Sequence, residues 1–221
     1  MKCKDTTTFI LGEPNRKSRY QAIIFDLGNV IINISFDKIF EYWAQVSDCE
    51  VKKIKQRFEF DDVYAQFERG TITPDTYRKY ISQKLELQLS DDEFDNGWNN
   101  LYLDAAPGIA QLLKDLKPRF RLVALTNTNA IHVQRWKKKY AALLSHFEKV
   151  FCSSETGARK PEKKVYEIVL QYLEVDPPRV IFFDDSPKNV EVASAIGIKG
   201  IVVKSPQELV DELTKLGILK S

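Results

Sequence analysis

Asp26 is a residue around which a catalytic crevice could form. It follows an apolar run in the stretch QAIIFDLGNVIINI, residues 21 to 34, and precedes a turn that contains glycine. A short, isoleucine-rich run of this kind predicts a buried strand of a parallel sheet. Ligands bind beyond the carboxyl ends of such strands, so we expect Asp26 to face a crevice. A carboxylate there could be a nucleophile or a metal ligand.

Polar residues also stand at the ends of other predicted strands. Thr126-Asn127 and Asp184-Asp185 each end an apolar run, and Lys160 opens the helix that precedes the second pair. One such residue would mean little, because Asp, Thr and Asn commonly end strands and cap helices. Together with the first carboxylate they would share one edge of the sheet, which predicts a single polar crevice.

These residue types suit phosphoryl transfer. A carboxylate can attack phosphorus and form an aspartyl-phosphate, which divides one difficult displacement into two steps. A threonine hydroxyl, the following backbone N–H group and a lysine can hold and neutralise phosphate oxygens. Asp184 and Asp185 beside Asp26 would be unfavourable without a cation. Mg²⁺ is the expected one, because it takes oxygen ligands and keeps several waters.

The elements that must position these residues alternate regularly from residue 106 onward. Strand and helix patterns at this spacing predict an α/β fold, a doubly wound parallel sheet with right-handed crossovers. Ser205 is expected to cap a last helix that Gly217 ends. The other predicted helices cover 109–117, 129–140, 161–173 and 187–196, and the strands cover 121–126, 149–153, 179–184 and 200–203.

The segment from about residue 33 to 104 has a helical pattern instead. Thr73-Pro74 and the capping box from Ser90 to Glu93 mark two helix starts. We predict a flexible leader at 1–19, a core domain at 20–34 and 105–221, and an inserted all-helical cap domain at 35–104. The large aromatic residues of the insert are expected to form its own core: Trp43, Phe58, Phe67, Tyr77, Phe94 and Trp98.

Composition narrows the function classes. The 221 residues include 33 Lys and Arg against 31 Asp and Glu, a net charge of +2, and no segment is basic enough to predict nucleic-acid binding. No apolar run approaches the ~20 residues of a membrane span. The three cysteines lack the spacing of a metal site and fit free thiols in a reducing cytosol, so a cytoplasmic location is expected. The sequence does not fix the oligomeric state.

Four segments, FDLGNVI, LTNTN, ARKPEKKVY and FFDDSPKN, closely resemble in this order the four motifs of the haloacid dehalogenase (HAD) superfamily. The resemblance covers residues 21 to 204 and is to the branch with a helical cap after the first strand. Each motif alone is a weak signal, whereas four in order on matching elements form a specific pattern. The resemblance implies a Rossmann-like core, a small phosphorylated metabolite as substrate, and Mg²⁺ as cofactor.

The same resemblance implies a role for each residue of the crevice. Asp26 would be the nucleophile, and Lys160 would steady both the nucleophile and the phosphate. Thr126 and Asn127 would hold the phosphate. The implied metal ligands are Asp26, Asp185 directly, Asp184 through a water, and the backbone carbonyl of Gly28.

Gly28 departs from the family pattern. Most phosphatases of the superfamily carry a second aspartate here, as the acid for the leaving group and then the base for water, and loss of such an acid costs about 10² to 10⁴ in rate. Either another group protonates the leaving oxygen, or the leaving group needs less help. The same stretches resemble α-D-glucose-1-phosphate phosphatase-like proteins. An anomeric oxygen leaves more readily than a primary alcohol, so a sugar phosphate is the expected substrate.

Three functions follow from these patterns. The first is a Mg²⁺-dependent phosphomonoesterase. The alternative is a catalytically weak domain that only binds a phosphorylated ligand, which Gly28 favours. The third is carbon–halogen hydrolysis. The dehalogenases of the superfamily need no metal, so this function would leave Asp184 and Asp185 without a cation.

Three further residues have open roles in the sequence. His132 is expected to be a packed or surface residue of its helix, although it could approach the site. Glu68 and Arg69 either reach the substrate from the insert or belong to a structural turn at Gly70.

Overall fold

A parallel five-stranded sheet forms the centre of the molecule in a computed structural model, which describes residues 19–220. Its strands are β1 (Ala22–Phe25), β4 (Arg121–Thr126), β5 (Lys149–Cys152), β6 (Val180–Asp184) and β7 (Lys199–Val202), and β2 (Ile32–Ile34) and β3 (Tyr102–Ala105) form a separate ribbon. The sheet order is β5, β4, β1, β6, β7, with every neighbouring pair parallel. This confirms the predicted doubly wound α/β sheet. The predicted leader lies outside the described residues, apart from Arg19.

Helices cover both faces of the sheet. Alternate residues of a strand point to opposite faces. Ile23 and Phe25 therefore pack in one apolar cluster with the helices at Ile109–Leu116 and Pro206–Lys215, and Ile24 packs in another with the helices at Lys163–Leu173 and Pro187–Ala195. The helices are α1 (Phe36–Val46), α2 (Val51–Arg57), α3 (Asp62–Glu68), α4 (Pro74–Leu85), α5 (Asp91–Asn99), α6 (Ile109–Leu116), α7 (Ala130–Lys139), α8 (Ala141–Leu144), α9 (Ser153–Thr156), α10 (Lys163–Leu173), α11 (Pro187–Ala195) and α12 (Pro206–Lys215).

The strand-and-helix prediction agrees with the structure for the strands of the sheet and the longer helices, and it misses the one-turn helices. Thr73, Ser90 and Ser205 cap α4, α5 and α12 as predicted. The helices α8 and α9 and a 3-10 helix at Pro177–Arg179 were not predicted. They are one turn long, too short for a periodic signal. Within residues 19–220, no helix combines the length and apolar character that crossing a membrane requires.

An antiparallel ribbon of β2 and β3 joins the helical insert to the sheet. Ile32 pairs with Ala105, and Ile34 pairs with Tyr102. Most of this ribbon lies within residues 33–104, where the sequence pattern predicts helices. Its strands are only three and four residues long and pair across about seventy residues of chain, so nothing local in the sequence indicates the pairing.

Aromatic side chains form the core of the insert, as predicted. The rings of Trp43 and Trp98 stack at 5.6 Å, and those of Phe67 and Tyr77 stack at 4.1 Å. Ile131 of α7 belongs to the same cluster, so the core of the insert continues onto a helix of the sheet layer. The division into separate domains stays a prediction.

Gly97 of α5 provides a test of this packing. A Cβ atom at this position would lie 2.3 Å from the Trp43 ring. We expect Gly97→Ala to lower the free energy of unfolding by about 1–3 kcal/mol, because α5 and α1, which carries Trp43, would have to move apart. Asn96→Ala, on the exposed side of the same helix, should change it by less than about 0.5 kcal/mol. Urea unfolding measures both variants, and equal stabilities would contradict the close approach.

Candidate active site

The sheet order brings the predicted polar residues together. Because β1 lies between β4 and β6, Asp26 stands between Thr126 and Asp184 at the carboxyl edge. A cavity of about 190 Å³ opens there. Asp184 lies just behind the cavity, and the other residues predicted from the strand ends and motifs line it: Asp26, Gly28, Thr126, Asn127, Lys160 and Asp185.

The Lys160 ammonium joins two carboxylates at the floor of this cavity. Its Nζ lies 2.6 Å from Asp26 Oδ1 and 2.6 Å from Asp184 Oδ2. The lysine is only 1% exposed and Asp184 is fully buried. Burial alone would lower the pKa of Lys160, but the two carboxylates raise it above its usual value, so the group stays charged. Burial raises the pKa of Asp26 to about 7 even though Lys160 opposes that shift.

Asn127 fixes the backbone of Lys160. Its Oδ1 accepts a hydrogen bond from the Lys160 N–H at 2.8 Å, and its Nδ2 donates to the Lys160 carbonyl at 2.9 Å. The Asn127 side chain is thus committed to the lysine, and a phosphate contact would fall to its backbone N–H. Sequence reasoning had not assigned this supporting role.

Asp184 is held by two donors from the start of α11. Its Oδ1 accepts from the Ser186 N–H at 2.8 Å and from Asn189 Nδ2 at 2.9 Å. With Lys160 on its other oxygen, this buried carboxylate is oriented from both sides. Asn189 also lines the cavity, although it is not among the site residues predicted from the sequence. Its position in the first turn of a helix after two aspartates was the available signal.

The acidic residues form a compact group of oxygen donors. Carboxylate oxygens of Asp26, Asp184 and Asp185 all lie within 4.8 Å of one another. Asn29, whose positive φ of 58° suits asparagine, donates to Asp185 Oδ2 at 3.2 Å. Lys160 pairs with two of these three carboxylates, and the group of oxygen donors fits a divalent cation that prefers oxygen ligands, such as Mg²⁺.

The insert and the ribbon supply a second part of the cavity lining, which we call the wall. It is largely apolar and aromatic, with one charged residue, Glu68, which is 3% exposed. Burial raises the pKa of Glu68, while Arg159 opposes that shift. Its residues are Ile34, Phe36, Tyr64, Glu68, Leu101 and Tyr102.

Two ion pairs connect the end of α3 to the loop that carries Lys160. Arg159 Nε lies 2.7 Å from Glu68 Oε2, and Arg69 Nε donates to Glu162 Oε1 at 2.7 Å. Their members on the loop, Arg159 and Glu162, lie on either side of Lys160 in the sequence. The insert supplies the carboxylate of one pair and the guanidinium of the other. Of the two residues with open roles in the insert, Glu68 lines the cavity, whereas Arg69 is not among its lining residues.

Gly70 allows the insert to approach the loop this closely. Its φ is +71°, and a Cβ atom there would lie 2.4 Å from the backbone oxygen of Ser154 in α9. Both the left-handed backbone and the close contact require glycine. The turn at Gly70 is therefore structural, and it also places Glu68 at the cavity.

His132 is packed, as expected, and it also borders the cavity. Its ring stacks on Trp98 at 5.0 Å, and its Nε2 donates to the Trp98 carbonyl at 3.0 Å. Its Nδ1 accepts from Asn129 Nδ2 at 3.1 Å. This pattern requires the neutral ring, and burial lowers its pKa to about 3. His132 thus ties α5 of the insert to α7.

Comparison with known proteins places the chain in a family. Residues 20–197 match the model of the haloacid dehalogenase-like hydrolases. The chain belongs to this hydrolase family. The resemblance found in the four motifs is confirmed, and so is the assignment as an enzyme.

The relatives that match over most of their length include phosphatases. The chain is 20% identical to the D-ribitol-5-phosphate phosphatase of Bacteroides thetaiotaomicron, over 87% of this chain and 96% of the relative. It is 29% identical to the flavin mononucleotide hydrolase 1 of Arabidopsis thaliana, over 93% and 81%. A HAD-family enzyme of B. thetaiotaomicron, crystallised with magnesium and inorganic phosphate, superposes with a TM-score of 0.74 at 30% identity, over 84% of this chain and 95% of that one.

The neutral His132 predicts a pH dependence of stability. The histidine binds a proton near pH 6.5 when the chain is unfolded but only near pH 3 when it is folded. The unfolded state therefore binds more protons between these values, so stability is lost as the pH falls below 6.5. The share of this residue is up to about 1.4 kcal/mol per pH unit.

We expect His132→Gln to remove that share of the slope between pH 6.5 and 4.5 in urea unfolding. His146→Gln is the matched control, because the second histidine is partly exposed and its pKa is lowered less. The prediction fails if the His132 variant keeps the slope of the wild type.

Proposed function

We propose that the protein is a Mg²⁺-dependent phosphomonoesterase that hydrolyses a small phosphorylated metabolite through an aspartyl-phosphate on Asp26. The observation that carries this proposal is the position of the Asp26 carboxylate. It lines the cavity, contacts the Lys160 ammonium at 2.6 Å, and shares an oxygen cluster with Asp184 and Asp185.

In the first step a carboxylate oxygen of Asp26 attacks phosphorus. The new oxygen–phosphorus bond forms as the bond to the leaving oxygen breaks. Lys160 neutralises charge on the nucleophile and on the phosphoryl oxygens, while the Thr126 hydroxyl and the Asn127 N–H hold those oxygens. In the second step water attacks phosphorus and the bond between phosphorus and the Asp26 oxygen breaks, which releases inorganic phosphate and restores the carboxylate. The proton that the water loses balances the one that the leaving oxygen takes up.

The proposed ligands of Mg²⁺ are the Asp26 and Asp185 carboxylates and the Gly28 carbonyl, with Asp184 acting through a water. When bound, the cation neutralises the developing charge on the phosphoryl group. The indirect role of Asp184 is supported by its burial and by hydrogen bonds that already occupy both of its oxygens.

Glycine at position 28 supports a substrate with a good leaving group. No carboxylic acid stands there to protonate the leaving oxygen, and a sugar phosphate esterified at the anomeric carbon depends less on such an acid. The cavity of about 190 Å³ suits a small metabolite. Among the relatives, the ribitol-phosphate phosphatase acts on a phosphorylated sugar alcohol.

Residues 35–104 are proposed to act as the cap of this active site. They supply the aromatic wall across the cavity, and a closed wall excludes bulk water from the first transfer. The hydrogen bonds of Trp98 with Asn129 and His132 hold α5 against α7. Opening is therefore expected at the α3 end, where the two ion pairs meet the core.

The proposal is tested by phosphate release from p-nitrophenyl phosphate and a panel of sugar phosphates. Asp26→Asn should lower kcat by at least about 10³, because the amide cannot form the acyl phosphate. Chelation of Mg²⁺ should abolish release by the wild type. Asp176→Asn, which changes a carboxylate away from the cavity, is the control and should keep full activity.

Two outcomes would contradict the proposal. An Asp26→Asn variant with activity close to that of the wild type would remove the nucleophile assignment. A folded wild type that binds Mg²⁺ and phosphate but releases none from any substrate would favour the binding-domain alternative, with Gly28 as the reason.

A further inference from the structure

We infer that the part of the cavity that receives the leaving group carries no net charge, so that the enzyme selects phosphomonoesters with an uncharged leaving group, and that Glu68 determines this selectivity. The inference rests on the proposed function. It adds a substrate class, which the family and the position of Asp26 do not define.

The leaving group must lie toward the insert. Attack on phosphorus is in line, so the leaving oxygen departs on the side opposite Asp26. Because Asp26 and its acidic neighbours stand at the sheet edge of the cavity, we place the leaving group against the wall from the insert and the ribbon, whose lining residues include Phe36, Tyr64 and Tyr102. Phe60 extends this surface outward; it is 65% exposed and its ring lies 5.0 Å from both Phe36 and Tyr64.

Glu68 is the charged residue among those that line this wall, and its charge is balanced. Its Oε2 accepts from Arg159 Nε at 2.7 Å, and its Oε1 accepts from the Tyr64 hydroxyl at 3.0 Å. Both oxygens are thus occupied. The neighbouring guanidinium of Arg69 is paired with Glu162 and is not among the lining residues, so it offers no charge to the cavity.

An anionic substituent on the leaving group would therefore lose its water without gaining a cation. It would meet aromatic rings and a carboxylate that is already paired. Burial of an uncompensated charge is costly. A hydroxyl, amide or apolar substituent avoids this cost, and a flat one can pack against the rings.

Changes to the two members of the ion pair should affect selectivity differently. Glu68→Gln removes the negative charge and leaves the Arg159 guanidinium uncompensated, which favours an anionic substituent. Arg159→Gln leaves the buried Glu68 carboxyl either unpaired or protonated, and neither form attracts an anionic substituent. A purely structural role of the pair would change kcat/KM for charged and neutral substrates by the same factor.

The experiment compares substrates of equal shape and different charge with saturating Mg²⁺. One pair is 4-carbamoylphenyl and 4-carboxyphenyl phosphate, and the other is glucose 1-phosphate and glucuronic acid 1-phosphate. For the wild type we expect kcat/KM to be at least about tenfold higher for the neutral member of each pair. The ratio should fall in Glu68→Gln and should not fall in Arg159→Gln. The controls Arg69→Gln and Glu162→Gln break the ion pair outside the cavity and should keep the wild-type ratio.

Circular dichroism shows whether each variant at the buried pair is folded. If one is not, the kcat/KM ratio of the wild type still tests the inference. The inference is wrong if kcat/KM for the neutral and the anionic substrate is nearly the same in the wild type. It is also wrong if Glu68→Gln and Arg159→Gln have the same ratio of these two values. Turnover of both substrates with a ratio near one leaves the phosphatase proposal intact. A wild type that releases phosphate from no substrate rejects the proposed function and this inference together.

Discussion

The Lys160 ammonium, held between Asp26 and Asp184, is the interaction on which the rest of the site depends. Transfer of an ammonium group from water into a protein interior costs several kcal/mol unless carboxylates compensate it. Here two carboxylates do so at 2.6 Å each, and they come from the ends of adjacent strands. Loss of the lysine would leave two buried carboxylates without their cation, a cost of about 3–5 kcal/mol.

This constraint explains how the surrounding groups are arranged. Lys160 lies on a loop, so its position must be fixed by contacts from other elements. Asn127 binds its backbone from the end of β4, and Asn189 orients Asp184 from α11. On the other side, the ion pairs of Arg159 and Glu162 tie the loop to the insert. The position of the lysine is thus determined jointly by the sheet and by the insert.

The sequence predicts the strand-end residues well for a physical reason. A buried strand needs an apolar run, and the parallel topology places the residues that follow such runs at one edge, so Asp26, Thr126 and Asp184 could be assigned without coordinates. Helix caps were equally predictable, because the hydrogen bond from Ser90 or Thr73 involves residues within the same turn. Both signals are local.

The features that were missed depend on contacts between distant segments. The β2–β3 ribbon and the Glu68–Arg159 pair join residues about seventy and ninety positions apart. A glutamate or arginine on an amphipathic helix has the same local pattern whether it is solvated or paired across an interface. Likewise, the helical spacing of His132 did not indicate that its ring would stack on Trp98. Periodicity defines the buried face of an element but not the partner that covers it.

The proposed mechanism requires that the Asp26 carboxylate becomes phosphorylated during turnover. The most direct measurement is rapid acid quenching of the enzyme with Mg²⁺ and p-nitrophenyl phosphate, followed by borohydride reduction and peptide mass spectrometry. We predict a chain heavier by one phosphoryl group, with reductive conversion to homoserine only at position 26. Sustained phosphate release without a trapped phosphoenzyme, or with the phosphoryl group on another residue, would contradict it.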